Sequence, residues 1–182
     1  MTYHDSTGHL LLTPADRDAP ARVARLRALG LGERTDPELD AFARRVAETT
    51  GTPYAGVNLP GAERQFFAGL HHSPGAPASG YPARVLARDH GWCPHVLVRR
   101  RALVLEDVRD FARFAGNAVV DEDGARSYLG APITDRQGVV LGTVCAVDRV
   151  PRRWGNEGLV TIKELAAELV ERIHRREDTG LR

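Results

Sequence analysis

The sequence predicts an α+β domain around an antiparallel sheet, and three observations carry that prediction. Strands come in pairs joined by short turns, helices gather at the two ends of the chain, and one hairpin arm is apolar on both faces, as a strand inside a sheet must be. At 182 residues one domain is expected, with enough chain to bury a sizeable core.

Residues 1–17 have no apolar periodicity and read as a flexible arm. Val23, Leu26 and Leu29 then recur at helical spacing, with Asp18 placed to cap, Pro20 in the first turn and Gly30 at the end. A second helix opens with Asp36 as its cap and Pro37 at its first position. Leu39, Phe42, Ala43 and Val46 form its apolar stripe, and Gly51 closes it.

The period then changes. Residues 54–59 and 64–70 are short β-branched or aromatic runs separated by Pro60-Gly61, which predicts a hairpin. Gly, Pro, Ala and Ser fill 71–80, a surface loop of the kind that covers a site. Residues 81–101 are ambiguous, with helical turns expected on either side of Gly91-Trp92-Cys93-Pro94. Residues 102–108 read as a strand and 110–123 as short helical turns and loop.

The central hairpin runs from Arg126 to Arg152. Its first arm ends at Thr134, its second resumes at Val139, and Asp135-Arg136-Gln137-Gly138 supplies the turn. Strict alternation places Leu141, Thr143, Cys145 and Val147 on one face, with Val140, Gly142, Val144 and Ala146 on the other. Leu159, Ile162, Ala166, Leu169 and Ile173 then recur at steps of three and four from Asn156 to Arg175, the seam of a coiled coil or helix bundle. One domain is therefore expected over 18–176, followed by a flexible tail over 177–182.

Composition excludes several classes of function. Lys plus Arg number 25 against 24 Asp plus Glu, so no net field draws the chain to nucleic acid or anionic lipid. Lys163 is the only lysine, and the arginine excess runs along the whole chain as GC-rich coding would produce. Arg99-Arg100-Arg101 and Arg172, Arg175 and Arg176 lack interleaved aromatics and read as solvated charge. No apolar run approaches the roughly 18–20 residues of a membrane span, and the N-terminus lacks a basic-then-apolar signal; a cytoplasmic protein is expected. Cys93 and Cys145 suit neither a disulfide framework nor a metal site by spacing, so no metal is expected.

Four stretches, in order, carry a family resemblance. Val57-Asn58-Leu59 with Arg64-Gln65-Phe66-Phe67 resembles the opening hairpin of the GAF domain family, and Trp92-Cys93-Pro94-His95 resembles its Ser-Phe-Cys-x-His segment. Residues 103–108 with Asp110 and Arg113-Phe114 resemble the strand that leads into Asp-x-Arg-Phe. Residues 126–132 and 142–148 resemble Arg-x-Tyr-x-Gly-Ala-Pro and Gly-x-Leu-Cys-x-x-Asp. The resemblance covers roughly residues 36–171. It implies a central antiparallel sheet of about six strands, with N- and C-terminal helices packed on one face and a ligand-type cavity under loops on the other.

What the resemblance implies is a sensory or regulatory domain without catalysis. It would bind a small molecule of unspecified identity or a signalling partner, as a homodimer through Asn156 to Arg175 and the N-terminal helices, and act on a separate effector protein. Trp92, Cys93, His95, Asp107, Asp110, Phe114, Arg126, Tyr128 and Asp148 are the candidates to line or brace the cavity. Each has a structural alternative: Asp148 caps the turn before Pro151, Arg126 pairs with a nearby acid, and His95 bonds a backbone carbonyl beside a buried Cys93.

A second reading makes Cys93 and Cys145 a redox centre; a third leaves an interaction module with a filled cavity. The family's cyclic-nucleotide pattern is incomplete, since Asn117 and Asp121-Glu122 occur without its Lys and Phe. Bilin-attachment motifs are not evident, and no cofactor is identified.

Overall fold

A computed structural model describes residues 3–4, 10–11, 13–76 and 82–180. Two short strands, β1 (Tyr3–His4) and β2 (Leu10–Leu11), pair antiparallel. Helices α1 (Ala19–Ala28) and α2 (Pro37–Thr50) precede the hairpin of β3 (Tyr54–Asn58) and β4 (Arg64–His72). There follow β5 (Val85–Ala87), α3 (Cys93–Arg99), β6 (Leu103–Leu105), a 3-10 turn at Val108–Asp110, and the one-turn helices α4 (Ala112–Ala115) and α5 (Ala118–Asp121). The second hairpin, β7 (Ser127–Thr134) and β8 (Val140–Asp148), leads to α6 (Gly155–Thr179).

The main sheet has six antiparallel strands in the order β5-β4-β3-β8-β7-β6, so the expected α+β architecture holds and β8 lies at its centre. Every residue of β8 is buried. The sixth strand, β5, comes out of the segment the sequence left ambiguous.

Local chemistry explains the boundaries of α2. The Asp36 carboxylate accepts from the Glu38 N–H at 2.8 Å, Pro37 needs no donor partner at the first position, and Gly51 ends the helix at φ 67°. Asp18 sits at the start of α1 without capping it and instead pairs with Arg100 at 3.4 Å. Arg100 ends α3 at φ 53°, the one non-glycine residue with positive φ among those described. It is held there by a 3-10-type bond to Leu97 and by its guanidinium on the Gly138 carbonyl.

The sheet separates two apolar compartments. On the helix side α2 and α6 bury Leu39, Phe42, Val46, Ile162, Leu169 and Ile173 against Val57, Ala131, Val144 and Ala146. A fully buried side chain of this size is worth about 1.5–3 kcal/mol. The opposite compartment is roofed by α3 and the segment 108–125, and holds Trp92, Cys93, Phe67, Phe114, Tyr128 and Cys145.

Four sequence expectations are corrected here. Leu141 lies on the helix side with Val144, because the β7–β8 register shifts between Ile133 and Thr134 and leaves Leu141 as the extra residue of a bulge. The apolar seam of α6 faces the protein's own sheet: Ile162, Ala166, Leu169 and Ile173 are at most 4% exposed, so this stripe has no face left for a second helix bundle. The C-terminal tail is shorter than 177–182, since α6 continues to Thr179 and Glu177 binds Arg25. The N-terminal arm is in part tied down: Arg22 pairs with Asp16, and Arg88 donates to the Pro14 carbonyl. Residues 1–2, 5–9 and 12 of that arm, and 77–80 of the loop expected to cover a site, lie outside the described residues.

Candidate functional site

The chemistry of the loop-side compartment starts from three strands that present polar side chains inward. Asn58 and Thr143 are direct cross-strand partners on β3 and β8, so they share one face, and Cys145 lies two residues further along that face. Asn58, Thr143 and Cys145 are at most 1% exposed, and Gln65 is 2% exposed. Asn58 Nδ2 donates to Gln65 Oε1 at 2.8 Å, and Gln65 Nε2 in turn donates to the carbonyls of Ala87 and His90. Asn58 Oδ1 and Thr143 Oγ1 are left without hydrogen-bond partners among the described residues. Buried polar atoms are rarely left so, and each such atom marks a missing partner or a working group.

Two glycines shape the packing around Cys145. Its partner across β3 is Gly56 and its partner across β7 is Gly130. A Cβ on Gly56 would come 2.7 Å from Phe67 Cε1, and one on Gly130 would come 2.6 Å from Tyr128 Cζ. The Phe67 and Tyr128 rings thus lie over the glycines and wall the thiol on both sides.

The Pro-containing start of α3 lowers Cys93 onto the same spot. The Tyr128 hydroxyl donates to Cys93 Sγ at 3.3 Å, and Cys145 and the Asn58 side chain lie beside it. Both cysteines are free thiols. The contact with Cys145 holds the Cys93 thiol below its ordinary value against the opposing effect of burial, with Tyr128 and Asn58 assisting. The same contact, with burial, pushes Cys145 well up. The Tyr128 hydroxyl on Cys93 Sγ supports a thiolate at that position.

The structure brings five of the nine cavity candidates together and leaves four outside. Trp92 stacks edge-on to Tyr128 with ring centroids 5.5 Å apart and donates its indole N–H to the Phe114 carbonyl at 3.4 Å. Phe114 meets the His95 ring edge-on at 5.0 Å. His95 lies in the same region, but among the described residues its Nδ1 has no hydrogen-bond partner of the kind expected. Burial, then the nearby Arg113 and Arg99, pushes its pKa down to about 4, so the imidazole is neutral at physiological pH.

Asp107, Asp110, Arg126 and Asp148 do other work. Arg126 grips Asp107 through Nε and Nη2, and Asp107 also caps the 3-10 turn by accepting from Arg109 N–H at 3.1 Å. Asp148 accepts from the N–H groups of Arg149 and Val150 and from Arg152 Nε at 2.7 Å, which closes the turn after β8. Asp110 is exposed on the 3-10 turn.

Asn117, part of the incomplete nucleotide pattern, is fully used in holding the Gly91 turn to α5. No group of three or more His, Cys, Asp or Glu arranged to hold a metal occurs among the described residues. Nor is any of their helices long and apolar enough to cross a membrane.

The polar members Asn58, Gln65 and Thr143 escape a reading based on apolar pattern. A signal is present for two of them: Thr143 interrupts a strand that is otherwise apolar or small up to Asp148, and Asn58 ends one that is. On the opposite side of the sheet a groove of about 630 Å³ runs between α6 and the β6–β7 edge, lined by Arg101, Ala102, Pro132, Leu159, Lys163 and Val170 among others.

Comparison with known proteins agrees with this architecture. The GAF domain model matches residues 35–173. A cyclic di-GMP phosphodiesterase of Pseudomonas aeruginosa is 30% identical over 166 residues, which is 88% of this chain but only 27% of that enzyme's length. The GAF domain of an Acinetobacter phosphoenolpyruvate-protein phosphotransferase superposes with a TM-score of 0.60 at 16% identity, covering 92% of this chain and 99% of that one. A free methionine-R-sulfoxide reductase from Neisseria meningitidis, in complex with its substrate, gives 0.62 at 16% identity over 98% and 99% of the two chains. At such identities these structures speak for the fold alone.

Proposed function

Because the chain belongs to the GAF domain family, we propose that it is a non-catalytic sensory and regulatory domain whose loop-side compartment takes a small, uncharged, hydrogen-bonding molecule. The observation that carries the reading is the pair of buried oxygens, Asn58 Oδ1 and Thr143 Oγ1, unmet inside an otherwise apolar, aromatic enclosure. The class of ligand follows from electrostatics. His95 is neutral, and the charged candidates Asp107, Arg126 and Asp148 are engaged with one another or with turns. The two oxygens accept hydrogen bonds and carry no positive charge, so they suit the donor group of a neutral molecule better than a phosphate.

Native mass spectrometry of protein purified from cells tests this. A retained neutral molecule is expected, and Asn58→Leu with Thr143→Val should lose it. A bare wild-type mass would count against the reading.

The dimer belongs to the same proposal, moved to a different face. With the α6 seam committed to the core, self-association falls to its outward strip, where Val160 is 45% exposed beside Lys163, Glu164 and Ala167. Both signs of charge on one strip let two copies pair antiparallel across the groove beside α6. Light scattering should give twice the 19.9 kDa chain mass, and Val160→Glu with Ala167→Glu should return it to the monomer value. A cytoplasmic location and action through a separate effector complete the proposal.

A further inference from the structure

We propose that Cys93 and Cys145 are a paired modification site, oxidised to an intramolecular disulfide by a small uncharged hydroperoxide. The inference is independent of whether a ligand occupies the compartment. It rests on placement: the two thiols come from different elements and lie in one buried cluster, and the Tyr128 hydroxyl that touches Cys93 Sγ lies over Gly130, the strand partner of Cys145. Cys145 is fixed at the middle of the central strand, while Cys93 arrives on the first residue of α3. Glycine faces Cys145 from both neighbouring strands, and Phe67 and Tyr128, folded over those glycines, enclose the spot where Cys93 arrives.

The chemistry balances with the peroxide as sole oxidant. Cys93, its ionisation favoured by Cys145, Tyr128 and Asn58, attacks one peroxide oxygen. The O–O bond breaks, the thiol proton goes to the departing oxygen, and water or an alcohol leaves. The product is a Cys93 sulfenic acid. Cys145 sulfur then attacks Cys93 sulfur, the S–O bond breaks, and the hydroxide leaves with the Cys145 proton as water. Two thiols lose two electrons and one peroxide gains them.

Tyr128 donates to Cys93 sulfur and is placed to stay with the oxygen that forms there. The apolar enclosure decides which oxidants qualify. Both thiols are 1% exposed within an aromatic cluster, which favours a neutral peroxide the size of water over a charged or bulky disulfide. The bond would lock α3 onto the centre of β8 and so tie the roof of the compartment to its floor.

The test uses the intact reduced chain. After hydrogen peroxide treatment, non-reducing intact mass should fall by the mass of two hydrogens. Thiol titre in denaturant should go from both thiols to none, and peptide mapping should find a Cys93–Cys145 link that dithiothreitol reverses. Oxidised glutathione should produce none of this. Cys145→Ser should trap a dimedone-reactive sulfenic acid on Cys93, while Cys93→Ser should leave Cys145 unmodified. Unchanged wild-type mass and full thiol titre under excess peroxide would overturn the proposal whatever the variants do. So would sulfenic acid forming on Cys145 in the Cys93→Ser protein. Loss of a retained ligand leaves these readouts untouched, so this proposal and the sensory reading fail separately.

Discussion

Arg25 of α1 donates from Nε to Asp135 Oδ2 at 2.6 Å, and the Asp135 side chain has no exposed surface. The pair joins the first helix to the turn of the central hairpin across 110 positions of sequence. Asp135 also accepts from the N–H groups of Gln137 and Val139, so one carboxylate shapes the turn and anchors the helix. Removing one partner of an enclosed ion pair leaves a desolvated charge, and the cost is about 3 kcal/mol or more. Chemical denaturation of Arg25→Met should show a loss of that size, and Arg25→Met with Asp135→Asn should lose less than the sum of the two single changes. Additive effects would show that the pair is not coupled.

Acid should weaken the same corner of the protein. Bonds from Arg25 and then Arg136 hold the Glu177 carboxylate down from 4.5 to about 2. Burial works to raise Asp135, but Arg25 and the two turn N–H groups outweigh it and keep it low. A carboxylate depressed in the folded state contributes its stability above the unfolded pKa and loses it as pH falls toward the folded one. Thermal melts should therefore be flat near neutrality and fall between about pH 4.5 and 2. In Glu177→Gln the melt at neutral pH should start lower and the acid slope should shrink. An unchanged slope would remove Glu177 from the account.

Gly130→Ala probes the site through Tyr128, whose hydroxyl and ring the new methyl would strike first. The added methyl would meet Tyr128 Cζ at 2.6 Å and push the ring off Cys93. Overpacking of this kind costs about 1–3 kcal/mol. The near-UV circular dichroism of the Trp92–Tyr128 pair should change with it, and an unaltered spectrum would show that the ring has room to yield.

Leu169→Asp and Ile173→Asp separate core from interface. Both residues are buried against the sheet, so a carboxylate at either position should cost more than about 4 kcal/mol and unfold the domain. A folded chain of altered oligomeric mass would instead place these residues between subunits.

The sequence made some of these relationships legible and hid others for physical reasons. Asp36, Pro37 and Gly51 bound α2 because capping is a local matter, written within a few residues. The strands of both hairpins were legible for the same reason. The stripe of α6 was visible too, but a period of three and four says only that one face is buried. It does not say whether the burial is against a sheet or another helix.

Long-range pairings lie beyond local pattern. Arg25 with Asp135 and Glu177, and Arg176 with Asp36 and Glu38, link positions more than a hundred residues apart. An arginine excess that reads as coding bias nevertheless supplies the cations for these pairs. At the site, Trp92, Cys93, Phe114 and Tyr128 were found through motif resemblance. Asp107, Arg126 and Asp148 belong to the same motifs but serve turns, because a motif records what a position needs and not whether a ligand or the backbone needs it.

The bulge at Leu141 has a consequence for how the central strand tolerates change. Upstream and downstream of it, single-residue steps exchange the two sides of the sheet, but at Leu141 and Gly142 two successive positions share the helix side. A scan of every substitution along β8 should therefore show a two-residue rhythm in its tolerated sizes with one missed beat. Deleting Leu141 should repair the rhythm, shorten the path from the Asp135 turn, and leave Thr143 and Cys145 where they are.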